Sequence, residues 1–381
     1  MMQHVPPVFI VAARRTAVAP RGGAFARTET HALAAAPIAA LLADTGLAPD
    51  AVDALVLGNA LYGGGNPARV AALAAGLAEA MPAATIDTQC CAGLDAILMA
   101  AAEIRTGEAD LVIAGGVESF SRAPLRFHRP TTAAESPEGY ERPPFTPWPD
   151  RDPDMIPAAA RLAAEGAIGR AEQDAYAIES HRKALAAVDT GAEIVPLEGL
   201  ARDSFARRLD ARLCARLPAL AGDTPHAVTA ATTAVEADAA AVVLLASEAG
   251  LRRVNAVGRP LRILSGARAG GDPERPGLAP VAAGEAALRR AGKAAAAMTS
   301  AEIMEAFAVQ AIACLRGLGL DPAIVNRGGG ALARGHPIGA SGAILATRLW
   351  HDLQREPAGA LGLAAIAAAG GLGTAMLVET V

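Results

Sequence analysis

Apolar positions along this chain switch between two periods, and the switching predicts a run of strands and helices. Residues 8–13 form a short apolar stretch that ends at the polar Arg14-Arg15-Thr16, as a buried strand does. Residues 30–46 carry Leu33, Ile38, Leu41 and Leu42 on one helical face, with Thr30 placed to cap the start and Gly46 the end. A second strand over 52–57 leads into a Gly- and Asn-rich turn at 58–67 and a helix over 68–76. After Gly93 the residues Leu94, Ile97, Leu98 and Ala101 again follow a helical period. The run 111–116 is then an apolar strand ending on two glycines. Strands and helices that alternate in this way predict stacked α/β layers with parallel strands.

The same order recurs late in the chain. An apolar run over 241–245 precedes a strand at 261–264, a helix at 283–291 and a strand–helix passage opening at Met298. Residues 342–345 echo 93–98, and 363–371 echo 111–116 as an apolar strand closed by two glycines. This is the pattern of a duplicated α/β half. Between the halves, eight prolines from Pro124 to Pro153 rule out regular elements over most of 122–153. A loop of that length covers something, and Phe145 and Trp148 are apolar enough to need a surface. Residues 158–187 resume a helical pattern. The expected organisation is a first half made of 1–120 with 228–255, an inserted covering domain at 121–227, and a second half at 256–381.

Composition narrows the picture. A chain of 381 residues exceeds one ordinary core. It is 52% hydrophobic but only 3% aromatic, so small side chains must let helices and strands approach closely. A net charge of −5 leaves no basic footprint for nucleic acid, and a phosphate-bearing ligand would have to be met by local arginines. The stretch 361–378 is uncharged and long enough to suggest a membrane span, yet its glycines and alanines make it weakly hydrophobic. A buried strand–turn–strand explains it better. The first thirteen residues lack the basic, apolar and cleavage regions of a secretory leader. Four cysteines are too few for a disulfide framework, and their spacing does not suit zinc. A reduced, cytoplasmic setting and a soluble protein follow as expectations.

The candidate chemistry sits at Cys90-Cys91, between a strand-like approach and the helix after Gly93. Unpaired N–H groups and the dipole at a helix start favour a thiolate there and can hold a developing oxyanion. A small, inert, buried cysteine is the ordinary alternative in such an apolar run. Against it stands Gly335-His336-Pro337-Ile338-Gly339-Ala340-Ser341-Gly342, which offers a base. His128, His181, His226 and His351 match nothing catalytic and read as solvated or satisfied side chains.

Taken together, the motifs resemble those of the thiolases. The likeness runs through Arg14-Arg15-Thr16 with Gly22-Gly23, Leu57-Gly58-Asn59, Asn66-Pro67-Ala68-Arg69 and the stretch from Cys90 to Leu94. It continues through Gly115-Gly116-Val117-Glu118-Ser119, Glu172-Gln173-Asp174, Glu305-Ala306-Phe307-Ala308, the run from Gly335 to Gly342, and Gly370-Gly371-Leu372-Gly373. The resemblance implies an α/β fold of two similar halves in five layers with an inserted loop domain. It further implies an acyl-CoA C-acyltransferase with Cys90 as nucleophile and His336 as its base. The amides of Cys90 and Ala369, with His336, would form oxyanion holes. Coenzyme A thioesters enter as substrates rather than as a bound cofactor, with no metal and no membrane. Such proteins assemble as homodimers or homotetramers.

The chain departs from the family pattern at several positions. Where the resemblance implies a second cysteine, which abstracts a proton from the second acyl-CoA, this chain has Ala367. Met304 stands where an asparagine would hold an oxyanion-hole water, and a thioether donates no hydrogen bond. On the CoA side Ala234 replaces a serine, and Met155 belongs to a changed segment, Asp154-Met155-Ile156. Met304, Phe307, Ala234 and Met155 are thus the expected substrate contacts. Condensation or thiolysis would be impaired. The alternatives are transfer to another acceptor, hydrolysis, a decarboxylating route, or a non-catalytic acyl-CoA-binding subunit.

Overall fold

The computed structural model describes residues 6–187 and 192–381. Part of the stretch searched for a leader, residues 1–5, and four residues of the inserted region thus lie outside the described residues. Nine strands form the path of one large sheet. Its order runs 300–303, 361–368, 372–380, 261–270, 9–16, 237–246, 111–119, 54–58 and 83–86. The path is nearly palindromic: four strands of the second half, then their four counterparts and one extra edge strand. The halves meet where Phe9 and Ile10 pair antiparallel with Arg262 and Leu261.

Period-two alternation builds the layers. In strand Leu111–Ser119, Val112 and Ala114 face a central core while Leu111 and Ile113 face an outer one. Strand Ala237–Ala246 repeats this, with Val243 and Leu245 inward and Val242 and Leu244 outward. The central core holds helices Ala92–Thr106 and Ile338–Leu353 between both halves of the sheet, through Leu94, Ile97, Ile344 and Leu349. Helix Thr30–Thr45 covers the outer face of the first half with Leu33, Ile38 and Leu41. Helices Ala279–Ala291 and Ala308–Leu318 cover the second with Ala283, Ala287, Leu315 and Leu318. Helix, sheet, helix pair, sheet, helix: the five layers follow from which face of each strand is apolar.

The glycines explain how the central helices fit. A Cβ on Gly93 would lie 2.8 Å from both the amide nitrogen of Ala343 and the carbonyl oxygen of Gly339. A Cβ on Gly342 would lie 2.5 Å from the amide nitrogen of Leu94. Real side chains do not approach backbone so closely, so the two helix starts touch because both carry glycine.

Three details differ from expectation. The strands are mixed rather than parallel: Ala237–Ala246 and Leu372–Thr380 run antiparallel to their neighbours. The tight turn at Gly370 and Gly371, with φ of 75° and 78°, joins Leu361–Ala368 to Leu372–Thr380 without a crossover helix. That hairpin is also the strand–turn–strand expected of 361–378, and among the described residues no helix is long and apolar enough to cross a membrane. At the helix over 30–45, Glu29 rather than Thr30 occupies the cap position and makes no side-chain capping bond, whereas Gly46 does close the helix at φ 66°. Finally, Phe145 lines a cavity as expected, but Trp148 is 52% exposed beneath the Arg151 guanidinium.

The inserted region supplies helices Met155–Glu165 and Arg170–Ala186. Its Pro-rich part holds only three-residue strands at Arg126–His128 and Glu138–Tyr140 and a single turn at Pro149–Arg151. Arg142 anchors that part through Asp152 at 2.8 Å. The same segment reaches the first half where Arg126 donates to the Ala60 carbonyl at 3.1 Å.

Candidate active site

Two helix starts meet at one point. Gln89–Cys91 forms a single 3₁₀ turn ahead of helix Ala92–Thr106, and Gln89 holds a left-handed φ of 55° that an L-residue adopts at a cost. The turn is tied down from both sides. Asp87 accepts the Gln89 amide at 2.9 Å, and the Thr88 hydroxyl donates to buried Asp95 at 2.6 Å. Asp95 also accepts from Thr374 at 2.9 Å, which anchors the Cys90 turn to the last strand of the second half.

Cys90 Sγ lies 3.1 Å from His336 Nε2, although 246 residues separate them. His336 Nδ1 lies 2.7 Å from Ser341 Oγ, whose hydroxyl donates to the Pro337 carbonyl at 2.9 Å. With its proton so used, Ser341 is left to accept from Nδ1–H, and the Nε2 lone pair faces the thiol. Burial pushes the Cys90 thiol up to about 12, with the charges of Glu118 and Asp87 adding to the effect. Burial likewise pushes His336 down to about 4. The resting pair is therefore neutral, with the proton on sulfur and a ready acceptor on nitrogen.

Behind the pair lies a buried carboxylate. Glu118 is 1% exposed and accepts from Asn59 Nδ2 at 2.9 Å and from the amides of Ala60, Leu61 and Gly339 at 3.0, 3.3 and 3.0 Å. Burial raises its carboxyl to about 7 against the three backbone amides. It joins the loop after strand Ala54–Gly58 to the helix that begins just after His336.

A cavity of about 680 Å³ opens onto the Cys90–His336 pair. Cys90, His336, Ala369, Ala234, Met155 and Phe307 all line it, so six of the seven residues singled out from the sequence come together. Met304 does not join them: its side chain is 1% exposed in the central core. Ala367, Ala368 and Ala369 also line the cavity, and Ala368 packs in the central core as well. The sequence reading missed the roles of Glu118, Asn59 and Ser341, which it quoted only as parts of motifs. A carboxylate closing a wholly apolar strand was the available signal.

Other reactive groups lie elsewhere. Cys91, Cys214 and Cys314 are buried thiols, and all four cysteines are free. Cys91 donates to the Ile366 carbonyl at 3.6 Å. His351 meets the Ala13 carbonyl at 3.2 Å and His128 stacks on Tyr140. Among the described residues no cluster of His, Cys, Asp and Glu could hold a metal ion.

Known proteins resemble this chain along nearly its whole length. Residues 8–249 match the thiolase N-terminal domain and residues 259–380 the thiolase C-terminal domain. The chain is 38% identical over 397 residues to an acetyl-CoA acetyltransferase of Shinella zoogloeoides, covering 98% of this chain and 99% of that protein. It is 39% identical over 391 residues to one of Pseudomonas aeruginosa, covering 97% and 98%. Human mitochondrial 3-ketoacyl-CoA thiolase in complex with CoA superposes with a TM-score of 0.89 at 30% identity, over 99% of this chain and 98% of that one. A cysteine–imidazole pair held by two abutting helix starts, inside a duplicated five-layer scaffold, thus has its place among known enzymes: the chain belongs to the thiolase family of acyltransferases.

Proposed function

We propose that the protein accepts an acyl group from a coenzyme A thioester onto Cys90, with His336 as general base. The observation that carries this is the 3.1 Å contact between Cys90 Sγ and His336 Nε2 at the floor of a largely apolar cavity. The thiol proton passes to Nε2 as sulfur attacks the thioester carbon. The carbon–sulfur bond to CoA then breaks, and His336 returns the proton to the departing CoA thiolate. An imidazole pushed down to about 4 holds a proton weakly and gives it up readily, which suits that second role. The amides of Cys90 and Ala369 border the same cavity and are the donors we assign to the tetrahedral oxyanion. The CoA-bound relative supports the choice of carrier. Arg126, Arg142 and Arg275 line the cavity and suit the phosphates.

The second step is where this chain differs. Ala367 carries no ionisable group, and forming a carbon–carbon bond needs a base for the acceptor's α-proton. We infer that condensation and thiolysis are slow by ~10²–10⁴-fold relative to a site holding that base. Assembly into a homodimer or homotetramer is part of the proposal. Edge strand Ala83–Ile86 runs directly into the nucleophile turn and offers an unpaired edge for a second copy.

Intact mass after incubation with acetyl-CoA and longer acyl-CoAs tests the reading. An acyl adduct that disappears in Cys90→Ala supports it. No adduct with any acyl-CoA would leave acyl-CoA binding without chemistry as the better account.

A further inference from the structure

A second large cavity, of about 1140 Å³, lies at the far end of helix Ile338–Leu353 from His336. It shares no described lining residue with the cavity at Cys90. Three guanidinium groups stand on its inner wall, those of Arg15, Arg334 and Arg348. Two of them are matched by carboxylates. Arg15 meets Glu193 and, at 2.7 Å, Asp203. Arg348 meets Glu193 and, at 3.0 Å, Asp352. Arg334 is different. It is 4% exposed, its Nη2 donates to the Gly329 carbonyl, and the one described carboxylate within 4 Å is Glu302, at 3.9 Å.

Glu302 is a poor counter-ion. It is wholly buried, neither of its oxygens accepts a hydrogen bond among the described residues, and burial pushes its carboxyl up to about 8. At neutral pH it is mainly protonated, which leaves the Arg334 charge unbalanced. Burial, with Arg348 and Arg15 nearby, pushes the Arg334 guanidinium down despite Glu302. The hydrogen bonds are out of balance in the same sense. Arg334 Nη1, Arg348 Nε and Trp350 Nε1 are buried N–H groups of cavity-lining residues, and none has an acceptor among the described residues. At the mouth, exposed Arg202 and Arg355 pair with no carboxylate among the described residues.

We propose that this cavity binds a small anion carrying two linked phosphates, one against Arg334 and Arg348 and the other toward Arg202 and Arg355. Water could fill the donors but would leave the charge. Phosphate is preferred to carboxylate because a tetrahedral dianion accepts from several guanidinium forks at once. Two phosphates are preferred to one because inner wall and mouth each carry unmatched cations.

Titration calorimetry of the whole chain with pyrophosphate, at constant ionic strength, tests this. The expected result is one saturable site, with inorganic phosphate binding more weakly and citrate more weakly still. Arg334→Gln should weaken pyrophosphate by ~10–100-fold. Because Arg334 is buried, the double variant Arg202→Ala with Arg355→Ala, both exposed, gives a second reading; it should weaken pyrophosphate more than phosphate. Arg275→Ala, on the cavity at Cys90, should leave this affinity as it is. The inference is overturned by absence of saturable binding, by phosphate or citrate binding as tightly as pyrophosphate, or by a loss confined to Arg275→Ala.

Discussion

Strands Leu111–Ser119 and Leu361–Ala368 occupy matching places in the two halves, and both end beside the Cys90–His336 pair. The first ends in a buried carboxylate that gathers four N–H donors and locks the His336 helix to the first half. The second ends in three alanines that touch the cavity and offer it no proton. The helices that precede these strands differ in the same way. One begins beside Cys90, the other beside His336. A repeated scaffold therefore sets where groups stand, while single residues at the strand and helix ends decide what chemistry is done there. The strand end with Glu118 ties the first half to the helix after His336, and the strand end with Ala367 lines the cavity.

That contrast can be broken from either side. The largest effect is expected at the helix start. His336→Ala removes the acceptor for the thiol proton and should slow acylation of Cys90 by ~10²–10⁴-fold, read as the rate of adduct formation by mass. An unchanged rate would mean that the two helix starts need not cooperate. Next comes the bare wall: Ala367→Cys should raise acetoacetyl-CoA formation by ~10²-fold, followed by its enolate absorbance. No gain would show that the missing base is not what separates the two strand ends.

The scaffold itself gives a smaller effect. Gly342→Ala places a methyl 2.5 Å from the Leu94 amide and should cost about 1–3 kcal/mol in urea unfolding. Gly270→Ala, where nothing lies within 4 Å, should stay within about 0.5 kcal/mol. Equal costs would mean the helix starts do not need their close approach.

The smallest effect is a pH slope. The Glu118 carboxyl is pushed from 4.5 up to about 7 by burial, so between those values the folded chain holds a proton that the unfolded chain has released. Its contribution to stability is greatest below about 4.5 and is lost as pH rises to about 7. Glu118→Gln removes this titration, and its urea midpoint should fall less than that of the parent between pH 5 and 7.5. Identical slopes would place the proton elsewhere.

Much of this was legible before any tertiary contact was known. The double-faced apolar run at 111–116 marks a strand buried on both sides, because a strand exposed on one face would alternate with polar residues. Gly93 and Gly342 stand in matching motifs because two helix starts must touch. Cys90 beside a helix start and His336 at another are residue types that only a few reactions use together. Other features do not show in one dimension. Met304 stands just before Glu305-Ala306-Phe307, yet it packs in the central core while Phe307 lines the cavity, a difference that spacing along the chain does not reveal. Glu118 reads as a charge ending a strand until the amides of Ala60, Leu61 and Gly339 converge on it.

The chain's periodicity and its reactive residues thus determined the layers, the duplication and the candidate pair Cys90 and His336. The tertiary structure decided strand direction, which of the motif residues reach the cavity, and the 3.1 Å meeting of groups 246 residues apart. The physical reason is that local sequence sets which faces are apolar and which turns are possible. The partner across a core is selected only when both halves close on it.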